Sequence, residues 1–151
     1  MVLRKVGKRE TNLIGLRIIF WALIGIFLLI LSMFFIPVVR GLFRGSHFLL
    51  LPIIFFLLGG FLIFLTLKKK TKRRLKKFLI LTGASASGFF VSVLLHNFLY
   101  AVAVLTSQIA VLRFLFEALH SVFFLVAVFI CPLGFLIGAV GSGVLFLKKK
   151  E

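Results

Sequence analysis

Hydrophobic and polar positions follow one another along this chain in long blocks rather than residue by residue. Four apolar blocks are separated by short polar connections, and a helix needs about 20 residues to cross a bilayer. The expected spans are residues 18–39, 48–67, 78–105 and 122–147. The pattern predicts an all-α membrane protein of four transmembrane helices, arranged as two antiparallel hairpins within a single domain over residues 1–151.

The stretch 106–121, between the third and fourth spans, admits two arrangements. On a helix, Arg113, Glu117 and His120 share one narrow stripe with Thr106, and most other positions are apolar. This pattern is typical of a short amphipathic helix lying at the membrane interface. It is equally typical of a helical extension of the third span, so both arrangements stay open.

Composition supports the membrane assignment. Hydrophobic residues make up 62% of the chain and the mean hydropathy is +1.25, whereas soluble domains are about 45–50% apolar. The formal net charge is +16, from 19 Lys and Arg against 3 Asp and Glu. Because these basic residues flank the apolar blocks, we expect contact with lipid headgroups and no binding to nucleic acid.

The basic residues also predict an orientation. Only Arg40, Arg44 and Arg113 fall on one side of the four spans, and the other sixteen Lys and Arg residues fall on the side of both termini. Positive residues favour the cytoplasmic side, so both termini are expected to be cytoplasmic, in the plasma membrane of a prokaryote. The residues expected to contact anionic headgroups are Lys68, Lys69, Lys70, Lys72, Arg73, Arg74, Lys76 and Lys77.

Small residues recur at helical spacing in the last two spans. The third span contains Gly83 and Gly88, and the fourth contains Gly134, Gly138 and Gly141 after Pro132. Small residues let membrane helices approach closely. They predict packing of the third and fourth spans against each other or against another subunit, with a homo-oligomer or a larger membrane complex as the expected assembly.

The third span also contains the densest set of polar residues. These candidate site residues are Ser85, Ser92, His96, Asn97 and Tyr100, and most of them share one helical face. An ionisable residue within a membrane span is a functional-site hypothesis by default. For His96 the alternative is a neutral imidazole that hydrogen-bonds across helices and only holds them together.

Other chemistry has less support in the sequence. No span contains a carboxylate that would orient His96 as a catalytic base, so no catalytic residue is predicted. His47 and His120 are both expected on the outer side, but two histidines do not complete a metal site. Cys131 is the single cysteine, so no intrachain disulfide can form. No cofactor or metal is expected.

Two functional hypotheses follow, with a third far behind. The first is a small structural or accessory membrane subunit that packs through its third and fourth helices. The second is an oligomeric channel or transporter for ions or small solutes, with His96 lining the site. An intramembrane enzyme is the distant alternative.

Overall fold

The computed structural model describes residues 2–42 and 49–148. Over these residues the chain forms helices joined by short turns: α1 (Val2–Phe35), α2 (Pro37–Leu42), α3 (Leu50–Lys68), α4 (Arg73–Leu105), α5 (Ala110–Leu125), a π-helix (Val126–Ile130) and α6 (Cys131–Leu147). Four stretches are long and apolar enough to cross a membrane: Ile14–Met33, Leu50–Lys68, Arg73–Leu105 and Ala110–Leu147. The predicted all-α architecture with four membrane-spanning helices is therefore confirmed.

The first span ends four residues earlier than predicted. Helix α1 stops at Phe35, Ile36 is not helical, and Pro37 begins the six-residue helix α2. A proline disfavours the helical conformation of the residue before it and is well tolerated at the first position of a new helix. Pro37 therefore separates two helices instead of ending one at Val39. The predicted second span began at Phe48, which lies outside the described residues.

The third span begins five residues earlier than predicted. Helix α4 starts at Arg73, directly after Lys72, whose backbone is extended. Its 33 residues correspond to a length of about 50 Å at 1.5 Å per residue. The hydrocarbon core of a bilayer is about 30 Å thick, so α4 is much longer than a single crossing requires.

The short helix expected between the third and fourth spans is present as α5, but it is not a separate element. A turn from Thr106 to Ile109 follows α4, and α5 then continues through the π-helix into α6. The stretch is therefore an N-terminal extension of the fourth span. It is neither a detached interfacial helix nor an extension of the third span. The resulting candidate span has 38 residues, or about 57 Å of helix.

The π-helix accommodates Pro132. A proline has no backbone N–H, so the usual bond from residue 132 to the carbonyl of Val128 cannot form. The N–H of Cys131 instead bonds to the carbonyl oxygen of Val126, five residues earlier. One widened turn thus absorbs the proline and the helix continues.

Helix α4 is the central helix of the bundle. It packs along α3 on one side and along α5, the π-helix and α6 on the other. Helix α1 packs against α3 and meets α6 through aromatic side chains: the Phe27 and Phe135 rings are 4.5 Å apart and the Phe20 and Phe146 rings 5.4 Å apart. The buried hydrophobic core contains Leu16, Phe20, Leu23, Phe55, Leu62, Leu75, Leu79, Ala86, Phe135 and Phe146.

Side-chain contacts show how α3 and α4 are aligned along their length. The Ser87 hydroxyl donates to the Phe56 carbonyl oxygen at 3.2 Å, and the Phe56 and Phe90 rings are 5.4 Å apart. In an antiparallel pair, this places the start of α3 level with about residues 93–96 of α4. The rest of α4, the following turn and the first part of α5 extend roughly 15 Å farther. We call residues 97–120 the outer hairpin.

Candidate functional site

Three glycines of α6 let that helix approach α4 closely. A Cβ atom built on Gly134 would lie 2.5 Å from the Ser85 Oγ, and one built on Gly138 would lie 2.5 Å from the Thr82 Oγ1. A Cβ on Gly141 would collide with the Phe78 ring. All three distances are shorter than an ordinary van der Waals contact. At Gly138 the Cβ would also lie 2.7 Å from the backbone nitrogen of Thr82, so glycine is required there. At Gly134 and Gly141 the side chains of Ser85 and Phe78 would have to shift.

The two glycines of α4 differ in their surroundings. A Cβ on Gly83 would lie 2.7 Å from the carbonyl oxygen of Gly59 in α3, while one on Gly88 would lie 3.4 Å from the Cys131 Sγ. Only Gly83 therefore faces a backbone that cannot move aside. Sequence reasoning did not include Gly59 in this contact, although the pair Gly59-Gly60 in the second span was a signal for it.

The five candidate polar residues do not converge on one site. Ser85 and Ser92 are buried between His96 and the start of α4, at the α4–α6 contact. Asn97 is exposed, and its side-chain amide donates to the Val93 carbonyl oxygen of its own helix at 2.8 Å. Tyr100 is exposed and lies one turn beyond His96. The shared helical face seen in the sequence is thus divided among different surroundings.

His96 contacts the extension of the fourth span. Its Nδ1 lies 2.9 Å from the backbone carbonyl oxygen of His120. A carbonyl oxygen can only accept, so Nδ1 carries the proton and donates, which fixes the tautomer of a neutral ring. The bond joins α4 to α5 at the level where α3 begins. It therefore lies near one end of the helix bundle and not at its centre.

Two further aromatic rings lie beside the rings of His96 and His120. The ring centroids of His96 and His120 are 5.2 Å apart, those of His96 and Phe124 are 5.4 Å apart, and those of Tyr100 and His120 are 5.6 Å apart. The His120 Nδ1 is 3.3 Å from the Phe116 carbonyl oxygen of its own helix. Within the described part of the chain, no three His, Cys, Asp or Glu residues are grouped as a metal site would require. The predicted partner His47 lies outside that part.

Two buried threonines inside the bundle bond to their own helix. The hydroxyls of Thr66 and Thr82 donate to the carbonyl oxygens four residues earlier, Leu62 and Phe78, at 2.7 and 2.9 Å. The partly buried Ser87 hydroxyl instead reaches across to α3. These bonds satisfy three hydroxyls, whereas the buried Ser142 Oγ has no hydrogen-bond partner among the described residues.

Basic side chains collect at the end of the bundle opposite the outer hairpin. The predicted headgroup-contacting residues 68–77 form the end of α3, the connecting turn and the start of α4. Lys68 Nζ lies 4.5 Å from the centre of the Phe64 ring. At the same end, an Arg17 guanidinium nitrogen donates to the Phe146 carbonyl oxygen at 3.2 Å. A cation there complements the negative end of the α6 dipole.

The outer hairpin presents apolar side chains that the rest of the chain leaves uncovered. Helix α5 contains no buried residue, and the exposed fractions of Leu105, Val111 and Phe114 are 81%, 77% and 73%. Its two charged side chains neutralise each other, since Arg113 Nε donates to Glu117 Oε1 at 2.7 Å. The outer hairpin is therefore an apolar surface without net charge.

Comparison with known proteins assigns the chain to no family. No family model matches it, and neither does any curated protein or solved structure. Its four apolar helices are compatible with an integral membrane protein.

Proposed function

We propose that this chain is a structural membrane protein that assembles with copies of itself through the outer hairpin. The observation that carries the proposal is the uncovered α5, which has no buried residue and whose first part lies beyond the level at which α3 begins. The assembly surface is the stripe of α5 that contains Val111, Phe114, Leu115 and Ala118, all of them exposed. These positions recur at the spacing of one helical face.

Apolar surface provides the driving force. The α3 helix has 19 residues, or about 28 Å, which matches the thickness of the hydrocarbon core. The outer hairpin extends past that thickness, where side chains such as Val111 and Phe114 meet headgroups and water instead of hydrocarbon. Burying one large apolar side chain stabilises by about 1.5–3 kcal/mol, so covering this stripe favours association.

The distribution of charge supports a second copy of this chain as the partner of the outer hairpin. The Lys and Arg residues of the connecting turn lie at the opposite end of the bundle, where copies placed side by side repel one another. At the outer hairpin the Arg113–Glu117 pair leaves no net charge. Copies can therefore meet there without repulsion, and a closed two-fold arrangement would present the same stripe from both.

The proposed orientation places both termini in the cytoplasm and the outer hairpin on the opposite face. Sixteen of the 19 Lys and Arg residues support it, because they lie on the side of the termini and of the connecting turn. The cationic turn would then contact anionic headgroups of the cytoplasmic leaflet. The plasma membrane of a prokaryote remains the expected location.

The channel or transporter hypothesis has less support than the structural one. It requires His96 to face a solute, whereas the His96 Nδ1 is engaged by the His120 carbonyl oxygen and the ring lies beside Phe124. These contacts favour the structural role for His96 that joins α4 to α5. The intramembrane enzyme hypothesis gains no support, since among the described residues His96 contacts a backbone carbonyl and aromatic rings but no carboxylate.

Cysteine cross-linking tests the proposal. In a Cys131→Ser background, we expect Val111→Cys and Ala118→Cys each to form a disulfide-linked dimer in the membrane upon mild oxidation. Leu133→Cys is the matched control, since Leu133 is exposed on the lipid-facing side of α6 and should give no dimer. Equal cross-linking at all three positions, or at none, would rule out self-association through this surface. If the outer hairpin does not cross-link but is shielded from thiol reagents in native membranes, its partner is a different protein.

A further inference from the structure

A cavity of about 80 Å³ lies between α1 and the rest of the bundle. Its floor is formed by Phe55, Phe135 and Cys131, which are buried, and by Ser85. Its mouth is formed by Leu31, which is 42% exposed, and by the half-buried Pro132. The cavity therefore opens sideways, between two helices within the apolar part of the bundle.

The gap exists because α1 is held away from α6. The Phe27 ring stacks on the Phe135 ring at 4.5 Å and lies 6.3 Å from the Phe55 ring. Large rings between two helices keep the backbones apart, whereas the glycines of α6 bring it close to α4. The aromatic rings fill the space between α1 and α6 on one side of the cavity only. The space next to these rings is left unfilled.

We propose that this cavity is a binding site for the hydrocarbon tail of a membrane lipid. Its lining residues all lie in stretches that can span a membrane, so the medium at its mouth is hydrocarbon. A buried water needs two to four polar partners, and Ser85 and Cys131 are the only side chains with a polar or sulfur atom in the lining. The cavity excludes water and accepts an apolar group.

The size of the cavity selects a chain end over a ring system. An apolar cavity of about 150 Å³ holds benzene, and the present cavity is about half of that volume. A narrow, flexible alkyl end fits this space and can enter through the mouth at Leu31. The π-helix ends directly at Cys131, so the widened turn of the fourth span borders the same space.

This site is independent of the proposed self-association. The cavity lies on the α1 side of the bundle, at the level of Phe89 and Cys131, and the assembly stripe lies on α5. Failure of one proposal therefore leaves the other standing.

Fluorescence quenching by brominated phospholipids tests the site. Trp21 is first removed by Trp21→Phe, so that the protein has no other tryptophan. A single reporter is then introduced as Phe89→Trp at the cavity wall. Leu133→Trp serves as the lipid-exposed reference, since Leu133 is 58% exposed on α6. Two further variants fill the cavity from different helices, Cys131→Met from α6 and Ile30→Phe from α1. Each is combined with either reporter.

We expect bromine atoms near the end of the tail to quench both reporters in liposomes. Filling the cavity should reduce the quenching of the Phe89→Trp reporter at least two-fold. Quenching of the Leu133→Trp reference should not change, and this unchanged value shows that the filled variants insert normally. Equal quenching of the Phe89→Trp reporter with and without a filler would overturn the proposal. Weak quenching of that reporter beside a strongly quenched reference would overturn it too, because the cavity would then hold no lipid tail.

Discussion

Gly59 of α3 and Gly83 of α4 face each other across the contact of these two helices. A Cβ on Gly59 would lie 2.8 Å from the Gly83 carbonyl oxygen, and a Cβ on Gly83 would lie 2.7 Å from the Gly59 carbonyl oxygen. The backbones thus touch directly, and the carbonyl oxygen at each position leaves no room for a Cβ atom at the other. The central helix is held in this way on both sides, because Gly138 brings α6 equally close at Thr82.

This relationship separates two glycines that look equivalent in sequence. Gly83→Ala should destabilise the bundle by about 1–3 kcal/mol, the usual cost of overpacking, since backbone atoms cannot yield. Gly88→Ala should be nearly neutral, because its Cβ would meet only the Cys131 Sγ at 3.4 Å. Thermal unfolding of both variants in detergent measures the difference. Equal loss of stability in the two would contradict the packing described here.

The bond between His96 and the His120 carbonyl oxygen can be tested with two substitutions. An asparagine side-chain amide can occupy the place of Nδ1, so His96→Asn should keep most of the stability. His96→Leu should lose about 0.6 kcal/mol, the average for a hydrogen bond between membrane helices. Unfolding by denaturant compares the two variants. If His96→Leu proves as stable as His96→Asn, the hydrogen bond contributes nothing to the α4–α5 contact.

Arg17 should slow hydrogen exchange at the C-terminal end of α6. Arg17→Leu removes the donor to the Phe146 carbonyl oxygen and the cation beside the helix C-terminus, a loss of about 1 kcal/mol. Hydrogen exchange in residues 144–148 should then become about five-fold faster. Arg74→Leu, at an exposed position of the same end, is the control and should leave this exchange unchanged. A similar increase in both variants would show an effect of charge alone.

The proposed orientation predicts opposite reactivity at the two ends of the bundle. With Cys131→Ser as background, Ser107→Cys in the α4–α5 turn should react with a membrane-impermeant thiol reagent on intact cells. Lys70→Cys in the connecting turn should react only after the cells are opened. Both positions are exposed, so accessibility within the fold does not confuse the comparison. The reverse pattern would place the termini outside.

The arrangement of helices was predictable from the sequence because membrane spans depend on block length. Apolar blocks of 20 or more residues bounded by polar turns give four helices whatever the details of packing. The ends of the helices were less predictable. The first span was predicted to continue to Val39, whereas Pro37 begins a new helix, since a proline is accepted near the end of one helix or at the start of the next.

The continuity of α5 with α6 could not be predicted, because a proline such as Pro132 usually kinks or interrupts a helix. The π-helical turn prevents this interruption by shifting one hydrogen bond to Val126, a compensation with no sequence signature. The partner of His96 was equally hidden. A backbone carbonyl oxygen, here that of His120, carries no residue-specific signal, so spacing along one helix could not reveal it.

The number of chains in each assembly tests the central claim most directly. Single-molecule photobleaching of fluorescently labelled protein in liposomes, at high dilution of protein in lipid, counts the copies that stay together. The account predicts at least two copies for the wild type and for Leu133→Ser. It predicts single copies for the double variant Phe114→Ser with Leu115→Ser, whose apolar stripe on α5 is disrupted. A wild type that is monomeric, or a double variant that associates as the wild type does, would contradict assembly through the outer hairpin.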